Sequence, residues 1–308
     1  MPFFAKLGWK QVKPFVYLAV AVLVAFALYK VLGAEDAIGK ADLGILALSQ
    51  LLFFASAAFW NNAWAKRAGI GARDAVLAGF SSMAGMLTPM GVGSDFLRTF
   101  FGKHLHKDAS YLLATSLAVK IYKVVIAALL VLAFLPTVFS GGFDPRLRYS
   151  LAVAGLLMLA AALIIASIGR RGYPAFLGKF FAVLGGNGAV SFAGHFKSLF
   201  AIPPKAVLLH LTLSLLFEFL AFYAVFFAFH LTIAWEQALA VFLLLFLASK
   251  ALLPNGFGVV ETLGLFLFQG GFETSVAAAV LLAWDAVRAW VPALASALFV
   301  SARRWIKI

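Results

Sequence analysis

Nine ionisable side chains lie within or beside long apolar stretches of the sequence, where charge is unusual. They are Asp95, Arg98, Lys120, Lys123, Glu218, Lys250, Glu261, Asp285 and Arg288. A charge within hydrocarbon costs at least ~2.5–3.5 kcal/mol on insertion scales, so such groups usually face a partner, a polar cavity or a ligand. Lysine and arginine bind phosphate oxygens well. The pattern therefore favours recognition of an anionic or phosphate-bearing ligand.

Three pairs of these residues are three positions apart, which places each pair on one face of a helix. The pairs are Asp95 with Arg98, Lys120 with Lys123, and Asp285 with Arg288. The first pair has two readings: contact with a lipid headgroup at the floor of a cavity, or an Arg98 that reaches the membrane surface while Asp95 neutralises it. The other two pairs either bind an anion such as phosphate or neutralise one another in a structural network.

Glu261 has no cation near it in the sequence, so it is either a headgroup or proton site or one half of a structural ion pair. Glu218, in a phenylalanine-rich stretch, is a third candidate acid. We expect Glu261 to meet Lys250 and Arg288. We expect Asp285 to meet Lys120 and Lys123, for which Asp95 and a phosphate are the other candidate anions. All of these side chains should line one cavity.

Other chemistry finds little support. The sequence has no nucleophile–base pair, phosphate-binding loop or dinucleotide fingerprint, and its histidines lack metal-ligand spacing. A membrane enzyme would have to use Asp95 with His104 and His106, so we expect no catalytic residue, metal or cofactor. Trp60 and Trp64 lie near the end of an apolar stretch and are typical of an aromatic belt at the membrane interface.

Composition determines which elements must position these charges. The chain is 64% hydrophobic and only 12% charged, with a mean hydropathy of +1.01, which excludes a soluble enzyme. The net charge of +13 is explained by lysine and arginine in cytoplasmic loops, so we expect no nucleic-acid partner. The protein is predicted to be an all-α integral membrane protein.

Six stretches are long enough to cross the bilayer as helices: 15–33, 43–65, 109–135, 147–168, 206–233 and 274–301. Two further apolar segments, 74–101 and 237–268, are interrupted by proline and glycine. The first break contains Pro89, Gly91 and Gly93, and the second contains Pro254, Gly256 and Gly258. Each segment is either a broken spanning helix or a re-entrant hairpin that enters the membrane and returns.

The distribution of lysine and arginine decides between these alternatives, because these residues are more frequent in the cytoplasmic loops of membrane proteins than in the external loops. If both segments are re-entrant, seventeen lysines and arginines lie in cytoplasmic loops and termini and four lie outside. If both segments span the membrane, eleven lie on the cytoplasmic side and ten lie outside. We therefore predict six transmembrane helices plus two opposed re-entrant hairpins. Both termini and the region 169–205 are then cytoplasmic.

The two breaks coincide when the sequence is compared with itself at an offset of 165 residues. The same offset aligns Lys120 and Lys123 with Asp285 and Arg288, and Asp108 with Glu273. We therefore predict an inverted repeat, typical of transporters. The predicted units are an N-terminal helix and loop (1–42), a first repeat (43–135), a connecting helix with an interfacial segment (136–205), and a second repeat with a cytoplasmic tail (206–308).

The segment Pro89-x-Gly-x-Gly-x-Asp95-x-x-Arg98 resembles the first motif of the lysylphosphatidylglycerol synthase transmembrane-region family, the flippase-like domain of multiple peptide resistance factors. Pro254-Asn-Gly-Phe-Gly-Val-Val-Glu261 resembles its second motif. Asp95 stands where the family usually has glutamate. The resemblance implies translocation of lipids, with aminoacyl transfer carried by a separate soluble domain that we expect this sequence, which ends at Ile308, to lack.

Together these observations predict a flippase-like transporter in the plasma (inner) membrane, which moves an anionic or phosphate-bearing lipid between leaflets. Its partners would be membrane lipids. The alternative is a proton-coupled secondary transporter of a small soluble solute, with Glu261 or Glu218 as the proton site.

Overall fold

The computed structural model describes residues 39–83, 85, 94–95, 97–99, 108–140, 144–171, 194–195, 198, 203–249, 264 and 273–305. Every regular element in these ranges is helical. The helices are α1 (Leu43–Ala68), α2 (Ala72–Ser82), α3 (Ala109–Ser140), α4 (Pro145–Arg171), α5 (Lys205–Ala228), α6 (Trp235–Ala248), α7 (Thr274–Asp285) and α8 (Val291–Trp305), with a π-helical segment at Ala286–Trp290 between the last two.

Four helices in this part of the chain are long and apolar enough to cross a membrane. They cover Leu43–Ala68, Ser110–Ser140, Lys205–Ala228 and Ser275–Phe299. The prediction of an all-α integral membrane protein is therefore confirmed for the described residues. The predicted span 147–168 lies within α4, a helix of 27 residues, whereas the predicted span 15–33 lies outside the described residues.

The predicted span 206–233 is too long at its C-terminal end. Helix α5 stops at Ala228, and the chain then turns, with the N–H of Leu231 donating to the carbonyl of Phe226 at 3.0 Å. His230 adopts the left-handed conformation at φ 56° in this turn. A left-handed residue cannot continue a right-handed helix, so α6 begins anew at Trp235.

Local capping explains where several helices begin and end. The carboxylate of Asp42 accepts the N–H groups of Gly44 and Ile45 at 2.8 and 3.1 Å, so α1 begins at Leu43. Gly69, at φ 65°, ends the same helix in the left-handed conformation that glycine adopts at little cost. Asp108 caps α3 by accepting the N–H of Ser110 at 3.0 Å.

Helices α1 and α5 run antiparallel and in close contact. The Ser49 hydroxyl donates to the carbonyl of Ala221 at 2.7 Å, and the Ser56 hydroxyl donates to the carbonyl of Ser214 at 2.7 Å. Successive contacts are seven residues apart on each helix, so small side chains recur along one seam. Small residues let two helices approach closely in a membrane.

An aromatic core joins this helix pair to the rest of the bundle. The ring of Trp284 on α7 packs edge-on against Phe222 of α5 at 5.3 Å and against Phe53 of α1 at 6.3 Å. Phe242 of α6 also packs against Phe222, at 5.7 Å. Phe53 additionally lines the cavity described next, so the core supports the cavity directly.

Candidate functional site

A cavity of about 160 Å³ lies between α1, α3, α5, α6, the π-helical segment and the residues Ser94 and Arg98. Its charged lining consists of Arg98, Lys120, Lys123, Glu218 and Arg288. The structure thus brings five of the nine ionisable residues predicted from the sequence to one place, and Asp95 and Asp285 contact members of this group. Both halves of the chain contribute.

Asp95 lies between two cations. Its Oδ2 accepts a short hydrogen bond of 2.5 Å from the Lys120 ammonium, and its Oδ1 lies 3.5 Å from the Arg98 guanidinium. Arg98 is only 4% exposed. The guanidinium is therefore enclosed by protein, which does not fit a side chain that extends out into the aqueous phase beside Asp95.

The Arg98 guanidinium is seated on α1. Its Cζ lies 4.1 Å above the ring of Trp60, and one terminal nitrogen donates to the Asn61 side-chain oxygen at 3.3 Å. Trp64, one turn further along, is fully buried. The interpretation of Trp64 as part of an interfacial belt is therefore wrong, because its ring packs within the protein. Trp60 is half-buried and lines the cavity.

Lys123 is paired with an acid of the second half of the chain. Its ammonium donates to Glu218 at 2.6 Å and to the Ser214 hydroxyl at 2.9 Å, and it lies 5.5 Å from the Phe246 ring. Ser56, whose hydroxyl is 3.1 Å from that of Ser214, extends this polar network to α1. The seam between α1 and α5 therefore reaches the cavity.

Asp285 does not meet Lys120 or Lys123 as predicted. Its Oδ1 accepts a hydrogen bond of 2.7 Å from Nε of Arg288, three residues later on the same helical stretch. Arg288 lies in the π-helical segment, where the N–H of Val291 bonds the carbonyl of Ala286, five residues back. Pro292 follows this segment, and proline both lacks an N–H and crowds the carbonyl four residues before it, here that of Arg288. Such π-helical turns are frequent at functional sites.

The described residues place four cations and three carboxylates around the cavity. Most are nearly buried, while the Lys120 side chain is 32% exposed. Charges are costly to bury unless they are paired, and here each carboxylate holds at least one cation. In the described ranges no group of three His, Asp or Glu side chains could hold a metal ion.

Lys250 and Glu261 lie outside the described residues, as do the predicted breaks at Pro89, Gly91 and Gly93 and at Pro254, Gly256 and Gly258. The expected contacts of Glu261 with Lys250 and Arg288 therefore stay predictions.

The model of the lysylphosphatidylglycerol synthase transmembrane region matches residues 12–296. The chain belongs to this family. The match covers both motifs that pointed to the family in the sequence and all residues that line the cavity. A comparison with curated proteins found no match. Family membership and the apolar helices together identify an integral membrane protein of a family linked to lipids.

Several residues that shape the cavity of this family member are not among the site residues predicted from the sequence. Ser56, Trp60, Asn61 and Ser214 all line it. A signal was present for Asn61, because a side-chain amide within an apolar stretch needs a hydrogen-bond partner when it is buried. No comparable signal distinguishes Ser56 and Ser214, since serine is common at helix contacts in membranes.

Proposed function

We propose that this protein is a flippase-like transporter that moves an anionic or phosphate-bearing lipid between the leaflets of the plasma (inner) membrane. The lipid headgroup would enter the cavity while its acyl chains stay in the surrounding hydrocarbon. The proposal includes cytoplasmic termini, six transmembrane helices, and two opposed re-entrant hairpins arranged as an inverted repeat.

One observation carries this proposal: a cavity lined by four cationic side chains lies inside a bundle of apolar helices. Intramembrane charges mark substrate pathways because they are too costly to keep without a function or a partner. An excess of cations over carboxylates among the described residues favours an anionic ligand. Guanidinium and ammonium groups offer the donors that phosphate oxygens accept.

The size of the cavity also favours a headgroup over a whole lipid. The cavity has a volume of about 160 Å³. Pockets that enclose a drug-sized ligand are larger, at about 300–1,000 Å³. A lipid can therefore place its polar group in this cavity only if its tails remain outside.

The contact between α1 and α5 supports an inverted repeat. An offset of 165 residues places Ser49 on Ser214 and Ser56 on Ala221. The two residue pairs that join these helices therefore map onto each other, although the helix Leu43–Ala68 supplies the donor in both. Antiparallel helices are what two oppositely inserted copies require. The offset also relates Lys123 to Arg288, which line the same cavity from the two halves.

A translocation assay tests the proposal. The purified protein is reconstituted into phosphatidylcholine liposomes that contain a trace of tail-labelled fluorescent phosphatidylglycerol, and dithionite bleaches the label in the outer leaflet. We expect bleaching to continue into inner-leaflet label with the protein and to stop at the outer leaflet without it. Bleaching that stops at the outer leaflet in both samples would contradict the proposal.

A second arm of the experiment addresses a transporter of soluble solutes, because the cavity would also hold a small polar molecule. The same liposomes are given radiolabelled glycerol 3-phosphate, which shares the headgroup chemistry but has no tails. Uptake of this solute without movement of the fluorescent lipid would favour the secondary transporter.

A further inference from the structure

The guanidinium of Arg98 is buried without using its full hydrogen-bonding capacity. It carries five N–H donors. Among the described residues it has only two acceptors, the side-chain oxygen of Asn61 at 3.3 Å and that of Asp95 at 3.5 Å. Both distances are longer than the usual ~2.9–3.0 Å. Nε has no partner among the described residues. A buried donor without an acceptor is costly, so this group is prepared for an acceptor that the described protein atoms do not supply.

The surroundings of Arg98 restrict how such an acceptor can approach. The Trp60 ring covers one face of the guanidinium at 4.1 Å, and Arg98, Trp60 and Asn61 all line the cavity. The N–H donors of a guanidinium lie in its plane, so an acceptor from the cavity binds along its edge and not on the face that Trp60 covers. In-plane approach gives the two parallel hydrogen bonds that arginine forms with phosphate and carboxylate groups.

Asn61 is held in place by a glycine on the neighbouring helix. A Cβ atom added at Gly79 of α2 would lie 2.1–2.3 Å from three side-chain atoms of Asn61. Real Cβ atoms do not approach other atoms so closely, and the Asn61 side chain is short and only 4% exposed. The absence of a side chain at Gly79 therefore leaves the space in which the Asn61 amide turns towards Arg98.

We propose that Arg98, Trp60 and Asn61 form an oxyanion subsite of the cavity, and that Gly79 is the positioning residue that keeps this subsite in shape. This subsite would bind the phosphate oxygens of the lipid headgroup, which rests on the function proposed above. Lys123 and Arg288, each with its own carboxylate, would line the remainder of the cavity.

A binding experiment on the full chain tests the subsite. The protein is purified in maltoside micelles, which contain no phosphate, and is titrated with dioctanoyl phosphatidylglycerol or with dioctanoylglycerol, which lacks the phosphate. The readout is the ratio of the two affinities. A change that merely loosens the protein would lower both affinities together, whereas loss of the oxyanion subsite lowers the ratio alone.

Substitutions at Gly79 and Asn61 form a double-mutant cycle. In Gly79→Ala we expect the ratio to fall about tenfold, equivalent to about 1.4 kcal/mol, because the added methyl group displaces the Asn61 amide. In the Asn61→Ala background the three atoms that obstruct this methyl group are absent, so Gly79→Ala should have no further effect on the ratio. Gly71→Ala, at the N-cap of the same helix, is the control, since a Cβ there would lie 3.8 Å from its nearest atom, an oxygen of Asp74.

Asn61→Asp decides the matter if Gly79→Ala fails to fold, because aspartate has nearly the same shape as asparagine. Its carboxylate would occupy Arg98 and repel phosphate, so the affinity ratio should fall at least as far as in Asn61→Ala. An affinity ratio in Asn61→Asp equal to that of the wild-type protein would overturn the subsite. The proposed function would still stand after that result, provided that the wild-type protein prefers the phosphate-bearing probe. A wild-type protein that binds the two probes equally, or neither, would contradict the proposed function itself.

Discussion

The ion pair between Lys123 and Glu218 gives a prediction whose magnitude follows from the structure. Lys123 is 8% exposed, and its ammonium lies 2.6 Å from the carboxylate of Glu218. Removing one partner of a buried pair typically costs about 3–5 kcal/mol, because the other charge stays behind. We expect Lys123→Met to lower the free energy of unfolding by about 3 kcal/mol, towards the smaller end of that range, since Glu218 has further contacts.

Substitution of the other partner, Glu218, should lower the free energy of unfolding less. In Glu218→Gln the ammonium keeps the Ser214 hydroxyl at 2.9 Å and gains the amide oxygen of the new glutamine. We therefore expect a loss of about 1.5–3 kcal/mol, the usual value of a hydrogen bond to a charged group. The double variant Lys123→Met with Glu218→Gln removes both charges and should recover to within about 1 kcal/mol of the wild-type protein.

Unfolding of the four proteins by sodium dodecyl sulfate in maltoside micelles measures these differences. Lys40→Gln serves as a control, because this lysine is exposed and lies outside the cavity. Two results would refute the reasoning. One is that either single substitution leaves stability unchanged, and the other is that the losses in the double variant equal the sum of the single losses.

Three further predictions concern topology, the breaks and the helix seam. In this cysteine-free chain, a cysteine introduced at Gly141 should react with an external thiol reagent and one at Gly186 should not; external labelling of Gly186→Cys in intact cells would contradict the predicted topology. Gly258→Leu should abolish transport or folding, whereas Gly142→Leu should be tolerated; equal tolerance in the transport assay would mean that the second break is not tightly packed. Ser56→Ala should lower the free energy of unfolding by about 1 kcal/mol, the usual net value of one hydrogen bond, whereas Ser56→Leu should cost more because α1 and α5 must separate; unchanged unfolding curves for both would show that the seam does not depend on small residues.

The sequence predicted the helical architecture and the clustering of charges because both follow from one physical constraint. Long apolar runs must be helical to satisfy their backbone within a membrane, and charges such as Lys123 and Glu218 must then find one another or a ligand. This reasoning needs no detailed geometry. It therefore correctly brought residues from distant parts of the chain, including Lys120 and Arg288, to one cavity.

Pairing within the cluster could not be predicted, because it depends on the local path of the backbone. Asp285 pairs with Arg288 and not with Lys120 or Lys123 of the other half of the chain, in a stretch that the π-helical segment reshapes. The signal was Pro292, whose effect on the preceding turn is visible in the sequence but whose geometric result is not. The contact of Arg98 with Asn61 could not be predicted for a similar reason. It depends on the space left by Gly79, and therefore on how α1 and α2 pack.

The extent of α5 was misjudged because hydropathy continues past the end of the helix. Residues 229–233 are mostly apolar, yet the chain turns there. Apolar composition indicates burial or contact with lipid, and it does not by itself distinguish a helix from the turn that ends it.

The central claim is that cations in the cavity bind the anionic headgroup of a lipid during its passage, and the initial rate of lipid translocation in Lys120→Gln tests it most directly. The Lys120 side chain is the most exposed of the paired cations around the cavity, at 32%, and Asp95 keeps Arg98 as a partner without it, so the fold should survive. With Lys40→Gln as the control, we expect the rate for fluorescent phosphatidylglycerol to fall about tenfold or more, as loss of a charged hydrogen bond implies. The protein should stay folded, and its free energy of unfolding should fall by no more than about 1.5–3 kcal/mol, the loss expected for Glu218→Gln. A wild-type translocation rate in a correctly folded Lys120→Gln protein would contradict the claim.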